Sequence, residues 1–221
     1  MSINWNMLLA RYQRARGGYF LGSKYLECDS QLVIPQEDGH PLLIWFDEDP
    51  AGRYASRTLR GRTAVRLNGL YELRISTRNV VSGGISGVMG ALGKQDFGYP
   101  EATRGRTVTT NNKDFTKLVL GDLDLRNALI QREKEHLTVE PSPQGDGWHM
   151  VEVSADSFEG LTLNSSRWIT ETIQQANDIS FMSPEDQEVL RAAADRDFLP
   201  RMDGFIDFLR AAQRAVTTWR M

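Results

Sequence analysis

Apolar positions recur at two periods along this chain, and the change from one to the other divides it. Near the start, Trp5, Leu8, Leu9 and Tyr12 fall at helical spacing and predict a helix over 3–16. Arg11, Arg14 and Arg16 lie toward its C-terminal end, where the helix dipole favours cations, and Gly17-Gly18 stops it. Such a helix can pack on a domain or, being basic and amphipathic, lie on a membrane surface.

From Tyr19 to Ser76 the period shortens to two. YFLGSKYLEC, QLVIP, PLLIWF, RYASRTL, TAVRL and LYELRIS are short runs rich in aromatic and β-branched residues. Glu37-Asp38-Gly39, Asp49-Pro50-Ala51-Gly52 and Asn68-Gly69 supply the turns. Asn68-Gly69 predicts a two-residue hairpin joining TAVRL to LYELRIS. In the latter, Leu70, Glu72, Arg74 and Ser76 alternate with Tyr71, Leu73 and Ile75, so one face is expected to be wet. The runs together predict a meandering antiparallel sheet able to curl toward a barrel.

The alternation stops at Arg78. Between Arg78 and Lys94 lie fifteen residues without an ionisable group, five of them glycine: Gly83, Gly84, Gly87, Gly90 and Gly93. As a helix, this stretch carries a stripe without side chains that lets another backbone approach. Five glycines destabilise that helix by about 4–5 kcal/mol against alanine, so it forms only when packed. The expectation is a buried connector, the alternative a flexible loop touching a partner or a membrane.

Residues 95–110 read as a loop and a short strand, after which helical spacing resumes. Asn111 or Asn112 can cap a helix carrying Phe115, Leu118 and Val119, and Asp122 can cap a second with Leu125, Leu129 and Ile130. That second helix opens with Asp122 and Asp124 and ends in a mixed QREKE tail, the wrong charge for reading DNA, so sequence-specific DNA is not an expected partner. HLTVEP and WHMVEVSA predict a hairpin around SPQGDG. Past Leu163 three helices are expected: one capped by Ser165 or Ser166, one starting at Ser183-Pro184, and one after Pro200. In the last, Phe205, Phe208, Leu209, Ala212, Val216 and Trp219 form an apolar stripe suited to a core or to a homo-oligomer contact. The fold class is therefore α+β: a single domain over 1–221, sheet-rich over 1–163 and helical over 164–221.

Composition adds little: 40% hydrophobic and 25% charged residues describe an ordinary globular chain. The single cysteine, Cys28, excludes an internal disulfide framework. The N-terminus lacks a signal-peptide pattern, and no apolar run reaches the roughly 20 residues of a membrane helix. A cytoplasmic protein is the expectation.

Charge changes the picture more. The net charge of −3 hides a basic middle: residues 53–117 carry twelve Lys or Arg against four acids, and the remainder fourteen against twenty-five. Either the middle pairs with its acidic flanks, or it faces an anionic ligand or an acidic protein surface. Arg60, Arg62 and Arg66 share one strand parity, and Arg74 and Arg78 follow on the next run. Guanidinium groups in a row can bind phosphate or carboxylate bidentately, which makes these five the candidate anion site.

Other chemistry fails on spacing. A phosphate loop ending in Gly93-Lys94 needs glycine where Val88 stands and Ser or Thr where Gln95 stands, and the glycines do not match a dinucleotide fingerprint. His40, His136 and His149 have no metal spacing, although the last two could meet across the predicted hairpin, and no metal or cofactor is expected. Cys28 between Glu27 and Asp29 makes a poor nucleophile. The leading expectation is a non-enzymatic binding or interaction module using the arginine-rich face of 53–78. The alternatives are a hydrolase or transferase acting on an anionic small molecule, and a structural subunit of a homo-oligomer.

Overall fold

The strand order of the computed structural model is β1-β2-β3-β4-β8-β7-β5-β6, an open antiparallel sheet of eight strands and not a closed barrel. The structure describes residues 5–22, 30–48, 57–77, 96–155 and 184–219. Within them the strands are β1 (Tyr19–Leu21), β2 (Gln31–Ile34), β3 (Leu42–Glu48), β4 (Arg57–Arg66), β5 (Leu73–Thr77), β6 (Arg106–Thr110), β7 (Glu135–Pro141) and β8 (Trp148–Ala155). The helices are α1 (Trp5–Arg16), α2 (Pro100–Thr103), α3 (Lys113–Leu120), α4 (Leu123–Gln131) and α5 (Pro184–Thr218). This is the expected α+β class. Arg78, Cys28, the glycine-rich stretch and the helix expected after Ser165 lie outside the described residues.

The chain forms two compact units, each assembled from three stretches: Met1–Pro35, Leu43–Arg60 and Asp156–Ile206 in the first, Gln36–Leu42, Gly61–Ala155 and Asp207–Met221 in the second. In the first unit, α1 buries Leu8, Leu9 and Tyr12, so its apolar side is core and is not left for a membrane surface. Its polar edge is tied to α5: Tyr12 Oη donates to Asp203 at 2.7 Å, Arg16 reaches the same carboxylate at 3.0 Å, and Arg11 pairs with Asp195. Gly18 ends the helix with φ +91°, and a Cβ there would sit 2.7 Å from the carbonyl oxygen of Val33, so glycine is required. β1 then pairs antiparallel with β2, Tyr19 opposite Val33.

Pro200 does not separate two helices. It lies inside one 35-residue helix. The residues around it explain this: Phe198, Leu199, Met202 and Phe205 are buried, whereas Pro200 and Arg196, four residues back, are exposed. The ring clashes with, and leaves unbonded, a carbonyl on the solvent side, where water can satisfy it, and burial of the other side holds the helix together.

In the second unit Asn112 caps α3 by accepting from Phe115 N at 3.0 Å, and Asp122 caps α4 by accepting from Leu125 N at 2.8 Å. The predicted β7–β8 hairpin forms, with Val139 opposite Val151 and Leu137 opposite Val153. These four, with Leu73, Ile75, Phe115, Val119, Leu125 and Leu129, are buried. The terminal stripe is core as well: Phe205, Phe208, Leu209, Ala212 and Val216 are inaccessible, and only Trp219 of that set is exposed.

The Asn68-Gly69 hairpin does not form. β4 and β5 are separated in the sheet by β8 and β7, a distance of about 14 Å at ordinary strand spacing. Residues 67–72 cross that gap, well within the roughly 20 Å that six extended residues reach at about 3.3 Å each. Two hydrogen bonds fix the crossing: Leu67 N donates to Gly147 O at 2.9 Å, and Tyr71 N donates to His149 Nε2 at 3.1 Å. The expected runs RYASRTL and TAVRL also merge, their described parts forming the single strand β4 through the buried Gly61.

Candidate functional site

Antiparallel partners point to the same side of a sheet, so the register defines which side chains share a face. In the second unit one row reads Thr109, Arg74, Thr138, Glu152 from β6 through β5 and β7 to β8. Arg62 of β4 extends it, placing Nε and Nη2 on Glu152 Oε2 at 2.9 and 2.5 Å. All five residues are half-buried. The next row pairs Thr107 with Ser76, and His136 with Ser154. The alternate positions, Leu73, Ile75, Leu137, Val139, Val151 and Val153, face the core.

Along β4, Arg60, Arg62 and Arg66 are each accessible, whereas Leu59, Thr63 and Val65 are buried. As an anion site the three are unequal. Arg60 pairs with Asp47 at 2.9 Å and Arg62 with Glu152, so two arginines of the basic middle are neutralised by acids of its flanks. Among the described residues, the side chains of Arg66 and Arg74 have no hydrogen-bonded or ionic partner. Arg66 is exposed at the end of β4. Arg74 is half-buried between two threonines whose Cβ atoms stand about 5 Å away on either side. Glu72 and Glu140, exposed and two residues from Arg74 and Thr138 in sequence, temper the local potential without reaching the guanidinium.

Thr109 and Thr138 were not among the residues singled out from sequence. RTVTT and HLTVE show them at wet-face parity, but nothing in either stretch says that β5 lies between them.

The histidines do not meet. His149 faces Pro141 at one end of the hairpin and His136 faces Ser154 toward the other, on opposite sides of the sheet. His149 accepts from Tyr71 N through Nε2, and its Nδ1 lies 3.1 Å from Gly147 O, an arrangement for the neutral tautomer with its proton on Nδ1. Nearby, hydroxyls chain through the core: Tyr71 Oη and Thr116 Oγ1 at 2.9 Å, Thr116 to Thr110 at 2.8 Å, Thr110 to the carbonyl of Glu72 at 2.8 Å. Burial pushes the Tyr71 hydroxyl above its ordinary value, against the lowering effect of Thr116 and Thr110.

A second charged group lies on the core side. Arg106 turns under the sheet, donating to Glu135 O at 2.6 Å, Leu129 O at 2.9 Å and Arg132 O, and so caps the C-terminus of α4. Burial lowers the Arg106 guanidinium and raises the Glu135 carboxyl, although Arg132 holds Glu135 Oε1 at 2.5 Å. Glu135 Oε2 is buried without a hydrogen bond.

Among the described residues no group of three or more His, Cys, Asp or Glu side chains is placed to hold a metal ion, and no helix is long and apolar enough to cross a membrane. No protein-family model, curated protein or solved structure matches the chain.

Proposed function

We propose that the protein is a non-enzymatic binding module that holds one anionic group, a carboxylate or a phosphate, on Arg74 between the hydroxyls of Thr109 and Thr138. The supporting observation is Arg74 itself. It is a half-buried guanidinium without an acidic partner among the described residues, in the middle of a hydroxyl-bearing row whose other cation, Arg62, is already neutralised by Glu152. A guanidinium supplies charge and a planar fork of donors, and the two hydroxyls add donors beside it. Partial burial strengthens each of these bonds relative to bulk water. Glu72 and Glu140 keep the field local, which suits a single charged group and disfavours a polyanion such as duplex DNA.

An amide-resolved NMR titration with inorganic phosphate tests this. The backbone signals of Arg74, Thr109 and Thr138 should shift saturably, less so at high salt, and not at all in Arg74→Gln. Shifts centred elsewhere, or unchanged by that substitution, sink the proposal.

A further inference from the structure

Among the described residues the sheet ends at β6, and this edge lacks the usual protection. Natural edge strands are guarded by outward charges, proline, bulges or extreme shortness. β6 is RTVTT, five residues with four β-branched side chains, no proline and no lysine. Its one charge, Arg106, is withdrawn to the core side, where it holds the carbonyls of Leu129, Arg132 and Glu135. All five residues pair in unbroken register with β5, Thr110 opposite Leu73 through Arg106 opposite Thr77. No described strand pairs with the other side of β6. β1, at the opposite end of the order, is only three residues long.

We infer that β6 accepts an extended peptide segment as an added strand, and that the anionic group bound by Arg74 is a carboxylate side chain of that segment. The inference rests on the anion-binding reading of Arg74 and names its partner. The geometry is that of strand addition, in which main-chain hydrogen bonds supply affinity and alternate side chains supply specificity. A strand laid beside β6 sits about 10 Å from β5, two strand spacings. A side chain opposite Thr109 on the added strand then shares a face with Arg74. An arginine reaching over Thr109 from one side and a glutamate from the other span that distance, whereas neither does alone. The next side chain of the added strand falls beside Val108, which is half-buried on the core side and calls for an apolar residue. The partner is therefore an alternating acidic and apolar segment. A second copy of β6 does not fit, since RTVTT brings no carboxylate to Arg74.

The test uses the full chain, an alternating Val-Glu heptapeptide, and the same peptide with alternate backbone amides N-methylated. The plain peptide should bind with amide shifts concentrated over residues 106–110, and N-methylation of the amides facing β6 should abolish binding. Arg74→Gln should weaken the plain peptide roughly two- to fivefold, the effect of one part-exposed ion pair. Equal binding of both peptides overturns strand addition, as do shifts over 106–110 that grow with protein concentration alone, which mean that a second copy takes the edge. If phosphate still shifts Arg74 while the plain peptide does not bind, the edge inference fails and the anion site stands. If the peptide binds equally well to Arg74→Gln, the carboxylate assignment fails.

Discussion

Arg62 and Glu152, ninety residues apart in sequence, are joined by two hydrogen bonds to one carboxylate oxygen. The Glu152 side chain is only 12% exposed, so deleting Arg62 leaves a poorly hydrated carboxylate. Arg62→Met should lower unfolding stability by about 1–3 kcal/mol. Arg60→Met, whose partner Asp47 is 48% exposed, should change it by less than about 1 kcal/mol. Urea unfolding of the two variants checks the order, and an equal or reversed cost contradicts it.

His149 is the acceptor that lets residues 67–72 cross the sheet end. His149→Leu nearly keeps the volume but leaves the Tyr71 N–H, buried beside a fully buried side chain, without a partner. A loss of about 1–3 kcal/mol is expected. In hydrogen exchange the Tyr71 amide should lose protection before the β7–β8 ladder does. Wild-type stability for this variant would show that the bond is dispensable.

Glu135 makes stability depend on pH in the less usual direction. Its carboxyl is raised by burial above the ordinary value of 4.5, so the folded state keeps a proton that the unfolded chain has released. Stability from this group is fully present below the unfolded value and declines as pH rises from 4.5 through the raised folded value. Glu135→Gln removes the titration. The stability of Glu135→Gln relative to wild type should therefore improve from pH 4 to pH 7, measured by urea unfolding at both, and a difference independent of pH would falsify the assignment.

Pro200 withholds a hydrogen bond from Arg196 O in a helix otherwise continuous over Pro184–Thr218. Because both residues are exposed, alanine fits without repacking. Pro200→Ala should stabilise the chain by about 1–3 kcal/mol, read as a higher melting temperature. Destabilisation instead would mean that the buried contacts of Phe198 and Met202 depend on the bend.

Local chemistry was readable in the sequence wherever a residue acts on its own neighbours. The caps Asn112 and Asp122, the Gly17-Gly18 stop, the β7–β8 hairpin and the alternation around Arg74 all follow from side chains within a few positions. Asn68-Gly69 misled because its signal is equally local, while the strand beside β4 is chosen by Leu67 meeting Gly147 from the far end of the hairpin loop. A Cβ at Gly147 would come within 3.0 Å of Leu67 O, so the approach depends on a glycine eighty positions away from the segment it receives. Long-range charge pairing was hidden for the same reason. Parity showed which arginines share a face, but the acids that neutralise Arg60 and Arg62 come from other strands.

Residues 67–72 also set a timetable. They deliver β5 past two places in the sheet that the chain has not yet made, because β7 and β8 come later in sequence. During synthesis at about 5–20 residues per second, the ninety residues between Arg62 and Glu152 take roughly 5–20 s to appear. Until then neither β4 nor β5 has the neighbour that pairs with its inner edge in the finished sheet. The β7–β8 hairpin fills both places, and the row on which Arg74 sits exists only once it has paired.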